Sequence, residues 1–182
     1  MRRYILSLSL LALSTGAAHA VNSAITVSVT VAVRAIDIDW LLACRVGGDT
    51  ATVLNWTLGN QAASVTIDSE TSVNYPRTCT VESLGADVTV NLKCSNAAPA
   101  TAWTLAGSAG ANQFRMQAKG GSGTGAVFAA GYADLTTSDQ LLIPVLANAA
   151  TSTFYLKFYS PSSSTDSTSK TITVTATATS PP

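Results

Sequence analysis

Apolar and polar residues alternate with a period of two along most of this 182-residue chain. Such alternation predicts β-strands with one buried face, because successive side chains of a strand point to opposite sides of the sheet. Turn-forming residues separate the alternating segments, and the strand–helix alternation of a parallel α/β fold is missing. The pattern predicts an all-β protein, an antiparallel β-sandwich of Ig-like or jelly-roll type with about nine to eleven short strands.

The longest alternating segment lies near the beginning of the chain. One face of this predicted strand carries five apolar residues: Ile25, Val27, Val29, Val31 and Val33. The phase of the alternation then changes, which requires an extra residue or a break, so we expect a bulge or bend near Arg34-Ala35. Residues 21–34 are predicted either to form an edge strand that closes the protein's own sheet, or to pair with a neighbouring molecule.

Three other segments carry specific structural expectations. Residues 79–94 contain two alternating runs around a Gly-containing turn, which predicts a β-hairpin. Residues 134–144 are expected to hold one helical turn that ends at Pro144. The last strand, residues 170–180, is poor in large side chains and is expected at the edge of a sheet.

The first twenty residues have the pattern of a secretory signal peptide. Arg2 and Arg3 precede an apolar run, and Ala18-His19-Ala20 fits the small-residue cleavage pattern. We therefore expect residues 1–20 to be removed and residues 21–182 to form a single β-sandwich domain, which is long enough to bury a core. The expected location is secreted, at the cell surface or in the medium, with the periplasm as an alternative.

Charged residues make up only 11% of the sequence, compared with about a quarter in typical soluble proteins. Cleavage after residue 20 would leave eight basic and ten acidic side chains. No basic patch for nucleic acid and no polybasic segment for a membrane surface is present. Serine and threonine replace charges, and such a hydroxyl-rich surface is typical of a static secreted protein that packs against neighbours.

Three cysteines follow the predicted signal peptide, namely Cys44, Cys79 and Cys94. Because an exported chain meets oxidising conditions, a disulfide is expected. Cys79 and Cys94 stand near the open ends of the predicted hairpin, so we predict that these two are joined. Cys44–Cys79 and Cys44–Cys94 stay open as alternatives, since pairing cannot be deduced from sequence.

The sequence offers little for catalysis. The only histidine, His19, lies in the predicted signal peptide, which removes the histidine-dependent triads and histidine metal ligands. Asp37 with Asp39, and Asp68 with Glu70, could each share a strand face, but ten acidic residues form such pairs by chance. We predict no enzymatic activity, no cofactor and no metal site.

Aromatic residues are the remaining candidates for ligand binding. Tyr155 and Tyr159 alternate with Phe154, Leu156 and Phe158. The two tyrosines are therefore expected on the polar face of a strand, where they could form a platform for a sugar ring.

Residues 79–118 and 153–178 resemble segments that recur in secreted bacterial Ig-like β-sandwich modules. The resemblance rests on "VESLGADVTVNLKC", "WTLAGSAGANQFRMQA" and "FYLKFYSP" followed by "KTITVTATA". It covers about 65 residues and implies export and a sandwich fold. Many such modules belong to surface or extracellular structural proteins, and the resemblance implies no catalytic residue.

These observations lead to two functional expectations. The first is a non-enzymatic structural protein, a self-assembling extracellular filament or surface-layer subunit that uses its N-terminal strand for pairing. The alternative is a monomeric module that binds carbohydrate or cell wall through Tyr155 and Tyr159.

Overall fold

The computed structural model describes residues 23–32, 37–40, 53–74, 78–99, 103–121 and 124–182. These residues form twelve strands and one helical turn, which confirms the all-β prediction. The strands are β1 (Ser23–Ala32), β2 (Asp37–Trp40), β3 (Val53–Gln61), β4 (Thr66–Asp68), β5 (Cys79–Leu84), β6 (Val88–Cys94), β7 (Thr104–Leu105), β8 (Gln113–Gly120), β9 (Ala133–Asp134), β10 (Gln140–Leu146), β11 (Thr151–Tyr159) and β12 (Lys170–Thr179). The helix α1 spans Ala126–Ala129. The predicted signal peptide, Val33, the bend at Arg34-Ala35 and Cys44 lie outside the described residues.

The strands form two sheets of a β-sandwich. The five-stranded sheet has the order β10-β6-β12-β1-β3, and the seven-stranded sheet has the path β2-β5-β11-β8-β7, with β4 paired to β11 and β9 paired to β8. Most pairings are antiparallel, whereas β1 runs parallel to β12 and β7 runs parallel to β8. The fold is therefore a sandwich of two largely antiparallel sheets.

One continuous hydrophobic core lies between the sheets. In β11, Phe154, Leu156 and Phe158 are buried, while the intervening residues are partly exposed. The five-stranded sheet contributes Ile172, Val174 and other small apolar residues from its inner face. The period-two pattern therefore places its apolar positions in the core, as alternation predicts.

The chain changes sheets between β1 and β2. β1 belongs to the five-stranded sheet and β2 to the seven-stranded sheet. The two alternating runs of the sequence that carry β1 and β2 therefore lie in different sheets.

The predicted hairpin over residues 79–94 is wrong. Both strands form, but β5 pairs with β2 and β11, whereas β6 pairs with β10 and β12. The turn at residues 85–87 therefore connects the two sheets across the edge of the core, and Gly85 adopts a φ of 95° there. Alternation specifies which face of a strand is buried and leaves the partner strand undetermined.

The predicted Cys79–Cys94 disulfide is wrong for the same reason. The two cysteines are both buried and are not joined to each other. Cys79 aligns with Phe154 in one sheet, and Cys94 aligns with Val174 in the other. The two cysteines therefore do not face each other on neighbouring strands, as they would in the predicted hairpin.

Two further expectations fail near the end of the chain. Residues 140–146 form β10, an edge strand that includes Pro144, and the helical turn lies earlier, in α1. β12 lies in the middle of its sheet, between β6 and β1. Its inner residues include Ala176 and Ala178, which fill the narrow space between the sheets without large side chains.

Candidate functional site

The predicted assembly strand, β1, occupies an inner position of the protein's own five-stranded sheet. On one side it runs parallel to β12, where Ile25 aligns with Lys170 and Val31 with Ala176. On the other side it runs antiparallel to β3, where Val27 aligns with Trp56. Val27 is fully buried. The sequence contains no charged residue between Ser23 and Ala32.

β1 is the connection between β3 and the rest of the sheet. Among the described strands, β3 pairs with β1 alone. We call the gap between β12 and β3, which β1 fills, the β1 slot. A segment from near the beginning of the chain thus completes the middle of a sheet whose other strands come from residues 53–179.

The second predicted feature, the tyrosine platform, belongs to a larger polar surface on the outer side of the seven-stranded sheet. We call this surface the tyrosine face. Three tyrosines, three cations and three carboxylates form it, with one amide: Tyr132, Tyr155, Tyr159, Arg115, Lys119, Lys157, Asp68, Glu70, Asp134 and Gln117. The structure brings together residues from β4, β8, β9 and β11 and from the segments beside β4 and β9.

One half of the tyrosine face centres on Asp68. The Tyr132 hydroxyl donates to Asp68 Oδ1 over 2.5 Å, and Lys157 Nζ lies 3.1 Å from Asp68 Oδ2. The same Lys157 ammonium lies 4.4 Å from the centre of the Tyr132 ring, within the range of a cation–π contact. Lys119 bonds both carboxylate oxygens of Glu70, at 2.8 and 2.7 Å.

The other half centres on Asp134. Arg115 Nε and Gln117 Nε2 both donate to Asp134 Oδ1, at 2.5 and 3.0 Å. The Arg115 guanidinium lies 5.1 Å from the centre of the Tyr159 ring. The Tyr159 hydroxyl donates to Gln117 Oε1 over 2.9 Å. Each charge of this half therefore has an opposite charge or a ring beside it.

These contacts shift the protonation of two groups. Burial raises the pKa of Asp68, but hydrogen bonds from Tyr132 and the Glu70 backbone, together with Lys157, outweigh burial and leave the pKa below its usual value. Burial and the bond to Asp68 raise the pKa of Tyr132 far above its usual value. Tyr132 is thus held as a neutral donor and Asp68 as an anion.

The sequence pattern indicated only part of the tyrosine face. The alternation in β11 placed Tyr155 and Tyr159 on the outer face, where both are half-buried. It could not find Tyr132 or Asp134, because they lie in another part of the chain and reach the face through the pairing of β9 with β8. Asp68 and Glu70, noted in the sequence as a chance acidic pair, supply the carboxylates for Lys157 and Lys119.

The tyrosine face offers groups that can bind a ligand. Its groups are paired ions, phenols and an amide, without an activated nucleophile beside a general base. Within the described ranges, no cluster of three or more histidine, cysteine, aspartate or glutamate side chains is arranged to hold a metal ion. The role of Tyr155 and Tyr159 as a sugar platform stays a prediction.

No protein-family model matches the chain, and no curated protein matches it significantly.

Among the described residues, no helix has the length and apolar character needed to cross a membrane.

Proposed function

We propose that this protein is an exported, non-enzymatic structural subunit whose copies join by exchanging strand β1, building an extracellular filament or cell-surface layer. One observation carries the proposal: a charge-free strand from near the beginning of the chain fills an inner position between β12 and β3. A strand placed there can be supplied by the same chain or by a neighbouring copy with the same register.

The contacts of β1 are compatible with such an exchange. Every β1 contact in the slot, including eight aligned pairs with β12, would be kept when the strand comes from another copy. The closed and exchanged forms then differ mainly in the conformation of the connection to β2 and in the entropy of association. Self-association through identical contacts is a low-cost route to oligomers, and head-to-tail exchange forms an open chain of subunits.

The alternative function, carbohydrate binding by Tyr155 and Tyr159, has weaker support. A sugar ring needs an open aromatic face, yet Arg115 lies 5.1 Å from the Tyr159 ring centre and Lys119 lies 5.9 Å from that of Tyr155. A ligand would have to displace these cations or bind at the ring edges.

The first test removes the strand and returns it as a separate molecule. A variant lacking residues 21–33 should fail to form filaments or ladders, as judged by size-exclusion chromatography and negative-stain microscopy. Adding a synthetic peptide of residues 21–34 should raise its melting temperature, because the peptide refills the β1 slot. The same peptide carrying Val27→Asp is the matched control, since it would bury a carboxylate beside Trp56 and Ile172.

A second test identifies which copy supplies β1. Thr30 and Thr175 are aligned across β1 and β12, so Thr30→Cys with Thr175→Cys on a Cys44→Ser background can be cross-linked. Exchange predicts covalent ladders on non-reducing gels, and each single variant should give none. Complete cross-linking within single chains, in samples that still contain filaments, would overturn the exchange of β1.

A further inference from the structure

Two cavities that share one lining residue lie at the side of the sandwich where β7, the end of β6 and the outer face of β12 come together. One, of about 190 Å³, is lined by residues that include Leu105, Asp134 and Thr137. The other, of about 290 Å³, lies at the end of β6 beside the middle of β12 and is lined by residues that include Asn96 and Thr175. Thr137 lines both. We call the pair the β7 cleft, and each of its two cavities is smaller than the ~300–1,000 Å³ typical of drug-sized ligand sites, which restricts the ligand to a small one.

Several polar groups in the β7 cleft have capacity to bind a ligand. Asp134 uses Oδ1 to accept from Arg115 and Gln117, while Oδ2 accepts no hydrogen bond from the described residues. Asn96 uses Oδ1 to accept from the Leu105 amide at 2.9 Å, which leaves its two N–H donors without a partner among the described residues. A carboxylate oxygen and an amide donor are thus held in place and available.

Hydroxyl groups add both donors and acceptors. The side chain of Thr137 is exposed and that of Thr175 is half-buried, and neither makes a hydrogen bond to a described residue. Leu105 adds partly buried apolar surface to the same cleft. This combination of hydroxyls, an amide, a carboxylate and an apolar surface suits a ligand that carries hydroxyls on one side and C–H groups on the other.

The segment that carries Thr137 is held in place before any ligand binds. The Gln140 side chain accepts from the Thr136 amide at 2.8 Å and donates to the Asp134 carbonyl at 3.0 Å. The Thr136 carbonyl accepts from Cys94 N at 2.8 Å, and Leu135 N donates to the Met116 carbonyl at 2.9 Å. The segment is therefore tied to β6 of one sheet and β8 of the other, so little order has to be gained on binding.

The charges that line the cleft are already compensated. Asp134 pairs with Arg115 at 2.5 Å, and Lys93, which lines the larger cavity, pairs with Asp139 at 3.3 Å. The cleft therefore offers an anionic ligand such as a phosphate only Lys93, whose charge is already paired with Asp139. An entirely apolar ligand would leave the carboxylate and hydroxyls desolvated.

We propose that the β7 cleft binds a short neutral saccharide. Asp134 Oδ2 and the Asn96 amide would bond adjacent sugar hydroxyls, Thr137 and Thr175 would bond others, and Leu105 would contact the C–H face of a ring. This activity goes beyond the structural role, since it would let each assembled copy adhere to a glycan surface. It does not depend on the exchange of β1.

The test uses the exported protein in the state in which it is purified, because saturation-transfer difference NMR detects ligands bound to large assemblies as well as to monomers. The probes are cellobiose, maltose and N,N′-diacetylchitobiose at millimolar concentration. At least one should give a saturable signal. Thr137→Val and Asn96→Asp should each weaken its affinity about fivefold to tenfold, as expected for the loss of one hydrogen bond.

The controls distinguish this site, which shares Asp134 with the tyrosine face, from the Tyr155 platform and from assembly. Thr151→Val, an exposed threonine substitution on β11 outside the β7 cleft, should leave the affinity unchanged, and so should Tyr155→Ala. All variants should keep the assembly behaviour of the parent protein. Absence of a saturable signal with every probe overturns the proposal, and so does binding that Tyr155→Ala abolishes while Thr137→Val and Asn96→Asp leave it intact.

Discussion

Lys170 is a charged side chain that is almost completely buried. Its ammonium bonds Asp166, four residues earlier, and Thr168 Oγ1 at 3.0 Å. Lys170 begins β12 and aligns with Ile25, so a paired charge marks one end of the β1 slot. Removing one partner of a buried pair is costly because the other charge stays out of water.

Asp166→Asn should therefore destabilise the protein by about 2 kcal/mol, below the usual cost for such pairs because Asp166 reaches solvent. Lys170→Met should cost less, since it removes the buried charge and keeps most of the volume. Urea unfolding of both variants measures the difference. An equal or larger loss for Lys170→Met would show that the ion pair itself stabilises the fold.

Acid should weaken the fold through Asp68. A carboxyl whose pKa is lowered on folding contributes stability that is present above its unfolded pKa of about 4 and is lost as pH falls through the folded pKa. The free energy of unfolding should therefore fall on acidification below about pH 4. Asp68→Asn should flatten this dependence, whereas the conservative Asp139→Asn, at an exposed ion pair, should leave it nearly unchanged.

The thiol of Cys94 should be unreactive toward alkylating reagents in the folded protein. Burial raises the pKa of its thiol to about 12, and only the thiolate is a good nucleophile. Iodoacetamide at neutral pH should modify Cys94 only after denaturation, which peptide mass mapping can follow. Mapping without reductant should also find no Cys79–Cys94 linkage, and modification of Cys94 without unfolding would contradict its burial.

At the scale of elements, alternation was sufficient to predict most strands and insufficient to predict their partners. β5 and β6 begin or end at the predicted cysteines, yet they lie in different sheets. The central position of β12 was missed because small residues such as Ala176 can mark either an exposed edge or a narrow interior. The tyrosine face was found only where one strand contained it, since contacts between distant segments leave no periodic pattern.

The edge strand β10, where the sequence had predicted a helical turn, contains a feature that opposes pairing with another molecule. Pro144 sits within it, and the pairing with β6 is interrupted on either side of Ile143. A proline cannot donate a hydrogen bond to an added strand, so it blocks edge-to-edge association. The Pro144 carbonyl still accepts from Thr89 Oγ1 at 2.7 Å, which holds the strand on β6.

Pro144→Thr should therefore increase association through this edge. The expected result is concentration-dependent aggregation, measured by light scattering, that persists in the variant lacking residues 21–33. Pro182→Thr, at an exposed proline after the last strand, is the control outside any sheet edge. No difference between the two variants would mean that Pro144 does not protect β10.

At the scale of the whole molecule, charge and hydroxyl groups occupy different sides. Three of the five lysines and arginines among the described residues lie on the tyrosine face: Arg115, Lys119 and Lys157. β12 instead alternates its buried residues with threonines that are half-buried or exposed: Thr171, Thr173, Thr175, Thr177 and Thr179. Added salt should therefore weaken charge interactions on the outer face of the seven-stranded sheet much more than on that of the five-stranded sheet.

Because both sheets contribute to one core, the described domain should unfold as a unit. Far-ultraviolet circular dichroism and tryptophan fluorescence should give coincident urea transitions. Buried tryptophans report on different parts of the core, since Trp56 lies in β3 and Trp103 precedes β7. Two separated transitions would show that the sheets unfold independently.

The parallel pairing of β1 with β12 has a mechanical consequence. The two strands start at the same end of the sheet, since Ile25 aligns with Lys170 and Ala32 with Thr177. Ser23 and Thr179 therefore lie at opposite ends of a strand pair about 36 Å long. Tension between these two residues would load the evenly spaced hydrogen bonds in shear, so that they resist together rather than break one after another.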